Sequence, residues 1–231
     1  MASRRASDEL IASGAVRVNG KLPPPEGMLV DPDRDSITVN GRRLALPSGH
    51  RHLLLNKPRG IVVTARDPSR RTTVFDLLSE DATGGRRLFA VGRLDLDSSG
   101  LLILTDDGEL ANALAHPRQE VGKEYLALVR GVPGEADLRR LREGVQLADG
   151  RTAPARAELV RVAPGGFAEL RVTVHEGRNR LVRRMLEEIG HPVRDLRRVG
   201  FGSLRLGRLK EGGYRVLKGP ELEALRRAAG L

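Results

Sequence analysis

Cysteine and tryptophan are missing from this 231-residue chain. Without a thiol there is no disulfide framework, no thiolate nucleophile and no cysteine-ligated zinc or iron-sulfur centre. Any chemistry must therefore rest on oxygen and nitrogen groups. Aromatic residues make up 3% of the chain, with two tyrosines, so a tyrosine in a polar context stands out. No apolar run approaches the roughly 20 residues of a membrane helix. No apolar stretch follows Arg4 and Arg5, so neither an anchor nor a secretory signal is expected and the cytoplasm is the expected compartment. A phosphate loop of the G-x-x-x-x-G-K-[ST] type is missing too, and Gly200-Phe201-Gly202 lacks the third glycine of a dinucleotide fingerprint.

What is present is a globular balance: 39% hydrophobic and 30% charged residues, with a mean hydropathy of -0.32. Basic residues number 40 against 30 acidic ones, a net charge of +10. That excess favours a polyanionic partner, nucleic acid first. Only five of the basic residues are lysine (Lys21, Lys57, Lys123, Lys210 and Lys218). Arginine's planar fork suits phosphate and base edges, although a GC-rich genome gives the same bias. Location is more telling. Residues 1–47 carry +1, residues 48–174 carry +2 and residues 175–231 carry +7.

Punctuation divides the chain near residue 48. Residues 1–47 read as a small module with a helix over 7–13 and strands over 16–18 and 37–39, with Asn19-Gly20 and Asn40-Gly41 as turns. Leu46-Pro47-Ser48-Gly49 reads as a linker. In residues 48–231 the patterns predict strands over 53–56, 61–64, 101–104, 124–130, 155–162 and 167–174, and helices over 74–78, 109–115, 135–143, 178–189 and 221–227. Irregular alternation of this kind implies an α+β fold with a mixed, mainly antiparallel sheet.

The most informative stretch runs from Gly92-Arg93-Leu94-Asp95-Leu96-Asp97-Ser98-Ser99-Gly100 into the apolar Leu101-Leu102-Ile103-Leu104. A polar, glycine-bounded loop leading into a strand puts two carboxylates at the edge of a sheet, where a cleft can form. Asp95 and Asp97 have the same parity and share a face if the segment is extended, one reacting while the other turns the chain. Tyr125 follows Lys123 by two on a strand, so both face one side.

Gly92-Arg93-Leu94-Asp95, Ser99-Gly100-Leu101-Leu102 and Thr105-Asp106-Asp107-Gly108 together resemble the catalytic-loop signature of RNA pseudouridine synthases of the RsuA/RluB branch. Leu55-Asn56-Lys57-Pro58-Arg59-Gly60, Lys123-Glu124-Tyr125 and Glu176-Gly177-Arg178-Asn179-Arg180-Leu181-Val182-Arg183-Arg184-Met185 resemble the family in order and spacing. The resemblance covers about residues 52–217. It implies a pseudouridine synthase domain over 48–231 that isomerises a uridine of ribosomal RNA, by closer likeness that of the large subunit, with no metal and no organic cofactor. Ser3-Arg4-Arg5-Ala6-Ser7-Asp8-Glu9-Leu10-Ile11 and the residues after it are similar to the S-four-type RNA-binding module that precedes the catalytic domain in this branch, here lacking its first helix.

The same resemblance assigns the catalytic carboxylate to Asp95, its paired guanidinium to Arg183 and the ring stacked on the target uracil to Tyr125. RNA contacts are expected from Lys57, Arg59, Arg93, Lys123, Arg178, Arg180 and Arg184, and from Arg4 and Arg5 in the N-terminal module. Arg183 and Arg184 also stand four residues before Glu187 and Glu188, which would make them ordinary surface helix pairs. His50 and His52 have same-face spacing but no third ligand, so a metal there is not expected. The chain is expected to act as a monomer. The rival reading is a catalytically silent RNA-binding or ribosome-assembly factor, against which Asp95, Tyr125 and Arg183 argue together. A carboxylate-pair glycosidase needs acids that bracket the bond, which two same-side residues rarely do.

Overall fold

The computed structural model describes residues 4–31, 34–44 and 49–231, in two compact units that meet between His50 and Arg51. In the first unit, helix α1 (Arg4–Ala12) is followed by a three-stranded antiparallel sheet of β1 (Val16–Val18), β2 (Ile37–Val39) and β3 (Arg42–Arg43). Asn19 and Gly20 turn the chain at positive φ. The Asn19 amide also ties back to the Asp35 carboxylate at 2.7 Å. The expected linker residues 46–48 lie outside the described residues.

The second unit is built on a nine-stranded sheet. Its strands are β4 (His52–Lys57), β5 (Phe89–Ala90), β6 (Ser99–Thr105), β7 (Lys123–Arg130), β10 (Arg156–Ala163), β11 (Phe167–Val174), β12 (Val193–Phe201), β13 (Leu204–Arg205) and β14 (Tyr214–Val216). The order is β10-β11-β7-β12-β6-β4-β14, with β5 on β6 and β13 on β12. A separate hairpin pairs β8 (Gln146–Leu147) with β9 (Gly150–Arg151). Every pairing in the large sheet is antiparallel except β12 with β6, so the expected mixed, mainly antiparallel α+β architecture is present. Helices α3 (Gly108–Ala115), α4 (Glu135–Glu143), α5 (Leu181–Glu188) and α6 (Gly219–Ala228) pack on it, and α2 (Glu80–Thr83) is a single turn.

The run Leu101-Leu102-Ile103-Leu104 shows why this sheet stays together. Leu101 and Ile103 point to one face and pack with Leu110, Leu114 and Leu225 of the helices. Leu102 and Leu104 point to the other and pack with Leu53, Leu55, Val74 and Leu88. An unbroken apolar strand is what a sheet covered on both sides requires. At the far end, Leu138 and Leu141 of α4 and Leu181, Met185 and Leu186 of α5 close a separate core over β7, β10 and β11.

Three local expectations fail. Residues 61–64 form no strand; Val62 makes one isolated bridge to Thr73. Residues 74–78 are a turn, and the helical turn comes later, at α2, where the Ser79 side chain caps the Ala82 amide. Helix α5 starts at Leu181, three residues after the expected start, because Arg180 is its cap in the left-handed region at φ 49°. Strands β12 and β14 were not foreseen.

Gly100 sits where β6 meets β12 at φ +108°, and a Cβ there would lie 2.2 Å from the Arg198 carbonyl oxygen. No rotamer relieves a clash with backbone. Gly100→Ala is expected to lower the unfolding free energy by about 3 kcal/mol, read as a lower urea midpoint; an unchanged midpoint would contradict the close approach.

Candidate active site

The loop before β6 is held by its backbone. Residues 95–98 form a turn in which the Ser98 amide donates to the Asp95 carbonyl at 3.1 Å. The ammonium of Lys57, the last residue of β4, donates to the carbonyls of Asp95 (3.2 Å), Ser98 (2.8 Å) and its own neighbour Pro58 (2.9 Å). The Gly60 amide donates to the Leu96 carbonyl at 2.8 Å. Arg183 of α5 completes the set, its Nη2 donating to the Asp97 carbonyl at 2.8 Å. Four successive carbonyls are thus taken from two sides. Lys57 is fully buried, and burial pushes its pKa down to about 8 against the pull of Asp95 and Asp97. This corrects the expectation of an RNA contact: an ammonium under the loop, with all three protons donated inside the protein, has none left for a phosphate.

The carboxylates converge on one guanidinium. Arg180 is bidentate to Asp97 at 3.0 and 2.9 Å and lies 3.9 Å from Asp95. Arg183 Nε stands 3.4 Å from the same Asp97 carboxylate. The pairing of Arg183 with Asp95 is therefore also corrected: Arg183 holds Asp97 and its carbonyl, and the guanidinium nearest Asp95 belongs to Arg180. The reason is the turn, which points the two acids by its own geometry rather than by strand parity. Arg180 hydrogen bonds hold Asp97 below the usual carboxylate range, and Asp97 in return raises Arg180. Burial depresses Arg183, which is 8% exposed. Neither arginine of the helix pairs with Glu187 or Glu188; Arg184 reaches Asp149 at 2.8 Å instead.

Asp95 opens onto a cavity of about 290 Å³ whose wall includes Arg93, Lys123, Tyr125, Arg178, Arg180 and Arg198. Lys123 and Tyr125 face it together, as strand parity predicts. Register places Tyr125 of β7 opposite Arg198 of β12, Arg198 beside Gly100 of β6, and Gly100 opposite Lys57 of β4. This row of four crosses the middle of the sheet. Arg198 escaped the sequence reading because β12 carries four charges in its nine residues, which masks its strand character. A basic residue at a parity shared with Leu196 was the available signal.

The remaining expected RNA contacts are scattered. Arg59 is exposed and pairs with Asp195 at 3.1 Å. Arg178 is engaged by Glu176 and by Asp149, at 3.1 and 3.3 Å. Arg93 is exposed at the cavity rim. Arg5 is exposed on α1 in the other unit, and Arg4 opens that helix with its side chain outside the described residues. Among the described residues no group of three or more His, Asp or Glu side chains could hold a metal ion, and no helix is long and apolar enough to cross a membrane. His52 bonds the Thr105 hydroxyl at 2.9 Å, a structural role inside the sheet.

A half-buried carboxylate in a clamped turn, facing a tyrosine and several cations across a cavity, can attack or deprotonate a flipped nucleotide. The family model described as RNA pseudouridylate synthase matches residues 51–188, and the chain belongs to that family. Among its relatives, the ribosomal large subunit pseudouridine synthase B of Bacillus subtilis is 43% identical over 99% of this chain and 92% of its own length. An uncharacterized RNA pseudouridine synthase of Mycobacterium tuberculosis is 42% identical over the whole chain and 91% of its own. A crystal structure of a pseudouridylate synthase superposes with a TM-score of 0.70 at 29% identity, covering 96% of this chain and 94% of that one.

Because the folded Asp97 titrates below its unfolded value, its ion pair contributes stability that is fully present above the unfolded pKa of about 4 and is lost as pH falls through the folded one. Partial exposure of both side chains limits the pair to about 1 kcal/mol. Asp97→Asn is expected to unfold more easily than the wild type by that amount at neutral pH. The two stability curves should converge as the pH drops below the unfolded carboxylate value; curves that stay parallel throughout would refute the assignment.

Proposed function

We propose that this protein converts a uridine of ribosomal RNA, in the large subunit, to pseudouridine, with Asp95 as the catalytic carboxylate. The observation that carries the reading is the position of Asp95: its backbone is clamped while its side chain, 31% exposed, faces the cavity that Tyr125 also lines. RNA affinity alone needs no carboxylate held in such a place, since a negative charge there opposes phosphate. The large-subunit substrate is supported by the names of the Bacillus subtilis and Pseudomonas aeruginosa relatives, 43% and 44% identical.

The isomerisation breaks the bond from uracil N1 to ribose C1′ and forms one from C5 to C1′. A proton leaves C5 and one is gained at N1, so no redox partner or group donor enters. Asp95 supplies the charge that faces C1′, with the Arg180 guanidinium 3.9 Å away. Arg183 acts as a positioning residue through Asp97 and its carbonyl. Tyr125 offers a face on which the flipped uracil stacks, recovering about 1 to 3 kcal/mol of the unstacking cost. Arg93, exposed at the rim, is the cation placed to meet the strand, and Lys123 lies in the cavity wall. The N-terminal helix and small sheet support the reading of residues 1–47 as an S-four-type RNA-binding module, and a ribosomal RNA substrate puts the work in the cytoplasm.

Asp95→Asn is expected to reduce pseudouridine formation by at least about 1,000-fold, with ribosomal RNA affinity close to that of the wild type. Mapping pseudouridines in ribosomal RNA from cells with and without the gene identifies the position. Modification that persists in the Asp95→Asn protein would overturn the assignment.

A further inference from the structure

The inner wall of the cavity holds a cation that the fold leaves partly unused. Arg198 is 2% exposed. Its Nε donates to the Leu101 carbonyl at 2.7 Å, while its Nη2 is buried with no hydrogen-bond partner. No carboxylate lies within ion-pair distance of it among the described residues. Lys123, the other cation of this wall, gives one bond to the Val121 carbonyl at 3.2 Å and likewise has no carboxylate. Both charges stand over the Phe201 ring, at 5.4 and 5.7 Å. A buried guanidinium with an open donor weakens a fold, so its presence in a cavity wall calls for an anion that arrives later.

We infer that Arg198, with Lys123 beside it, forms the subsite that receives the negative charge developing on the uracil oxygens as the N1–C1′ bond opens. The inference rests on the pseudouridine synthase reading above and adds to it the group that serves the base rather than the sugar. When that bond breaks heterolytically, its electron pair stays with the base and spreads over N1, O2 and O4. The sugar carbon is balanced by the Asp95 carboxylate. C5 then bonds to C1′, releases its proton, and N1 takes one up. A donor already aimed at an oxygen that gains charge during bond opening favours the transition state over the bound substrate.

Register supplies the placement. Arg198 and Tyr125 are directly opposed on neighbouring antiparallel strands, so their side chains share a face about 5 Å apart. A ring stacked on Tyr125 therefore turns its edge toward Arg198. Gly100, next in the row, adds no side chain between them and Lys57. A phosphate is the other anion available, but it stays with the strand at the rim, where Arg93 is exposed to it. Arg198 lies where only the base reaches.

The test measures single-turnover pseudouridine formation by the full chain on a ribosomal RNA fragment that the wild type modifies. Arg198→Gln is expected to slow the rate at saturating RNA by about 100-fold, with the RNA dissociation constant within about threefold of the wild type. Arg198→Lys should recover part of the loss. Sulfur replaces O2 or O4 of the target uridine, or a non-bridging oxygen of its phosphates, in the same fragment. Coupling between Arg198→Gln and sulfur at one base oxygen, beyond the product of the separate effects, is the expected result. Additive effects at both base oxygens, or coupling to the phosphorothioate with weakened binding, overturn the inference. If Arg198→Gln does not fold by circular dichroism, Lys123→Met is judged by the same couplings. A wild type that makes no pseudouridine removes the functional reading itself; an active wild type with additive variants removes only the subsite.

Discussion

Four consecutive carbonyls are the constraint on which the site depends. A turn that presents two acids at a cavity would fluctuate if only its ends were tied, and a catalytic carboxylate gains from being held before the reaction begins. Here three of the four are held by cations that come from opposite directions, and the Leu96 carbonyl by the Gly60 amide. Lys57 reaches up from the sheet to the Asp95 and Ser98 carbonyls, and Arg183 reaches across from α5 to the Asp97 carbonyl. Burying an ammonium costs several kcal/mol unless its protons are satisfied. Three carbonyl acceptors offset that cost, while burial still holds the Lys57 pKa down at about 8.

Seen this way, the positive charge of the C-terminal quarter serves the fold as much as the RNA. Arg180 and Arg183 are committed to Asp97, and Arg178 and Arg184 to Asp149. Further along the chain, Arg215 is bidentate to Glu221 and Arg226 holds Asp107. Counting basic residues therefore overstates the charge that faces a polyanion. Among the described residues, no carboxylate pairs with the cavity's Arg93, Lys123 or Arg198. That smaller set lines the cavity onto which Asp95 opens.

Much of the fold was legible where apolar pattern and punctuation agree. The strands β6, β7 and β11 and the helices α3, α4 and α6 follow from it nearly to the residue. The expected helix over 74–78 failed because Val74 and Leu77 are apolar for a different reason: they turn their side chains under the sheet without a helical ladder. Strand β12 was invisible because a strand at the centre of a sheet reads as apolar only if both its faces meet core. One of its faces meets the cavity instead. At the site, the residue types were legible and their partners were not. Lys57 and Arg180 read as RNA contacts and Arg183 as the partner of Asp95, and only the tertiary path of the chain tells such roles from a clamp.

The one parallel pairing explains why the acids lie where they do. Sequence pattern placed them at an edge of the sheet, since β6 begins just after the loop. The contact of β6 with β12 is two residues long, Ser99 beside Arg197 and Gly100 beside Arg198, and these partners belong to the second half of β12, which continues to β7 along most of its length. The loop consequently emerges over the interior of the sheet rather than past its rim. From there Asp95 meets a wall built by β7 and β12, and a residue such as Tyr125, third in a strand of eight rather than at a loop tip, can take part. Backbone pairing fixes that wall far more rigidly than a set of loops could, at the expense of a glycine that must remain at position 100.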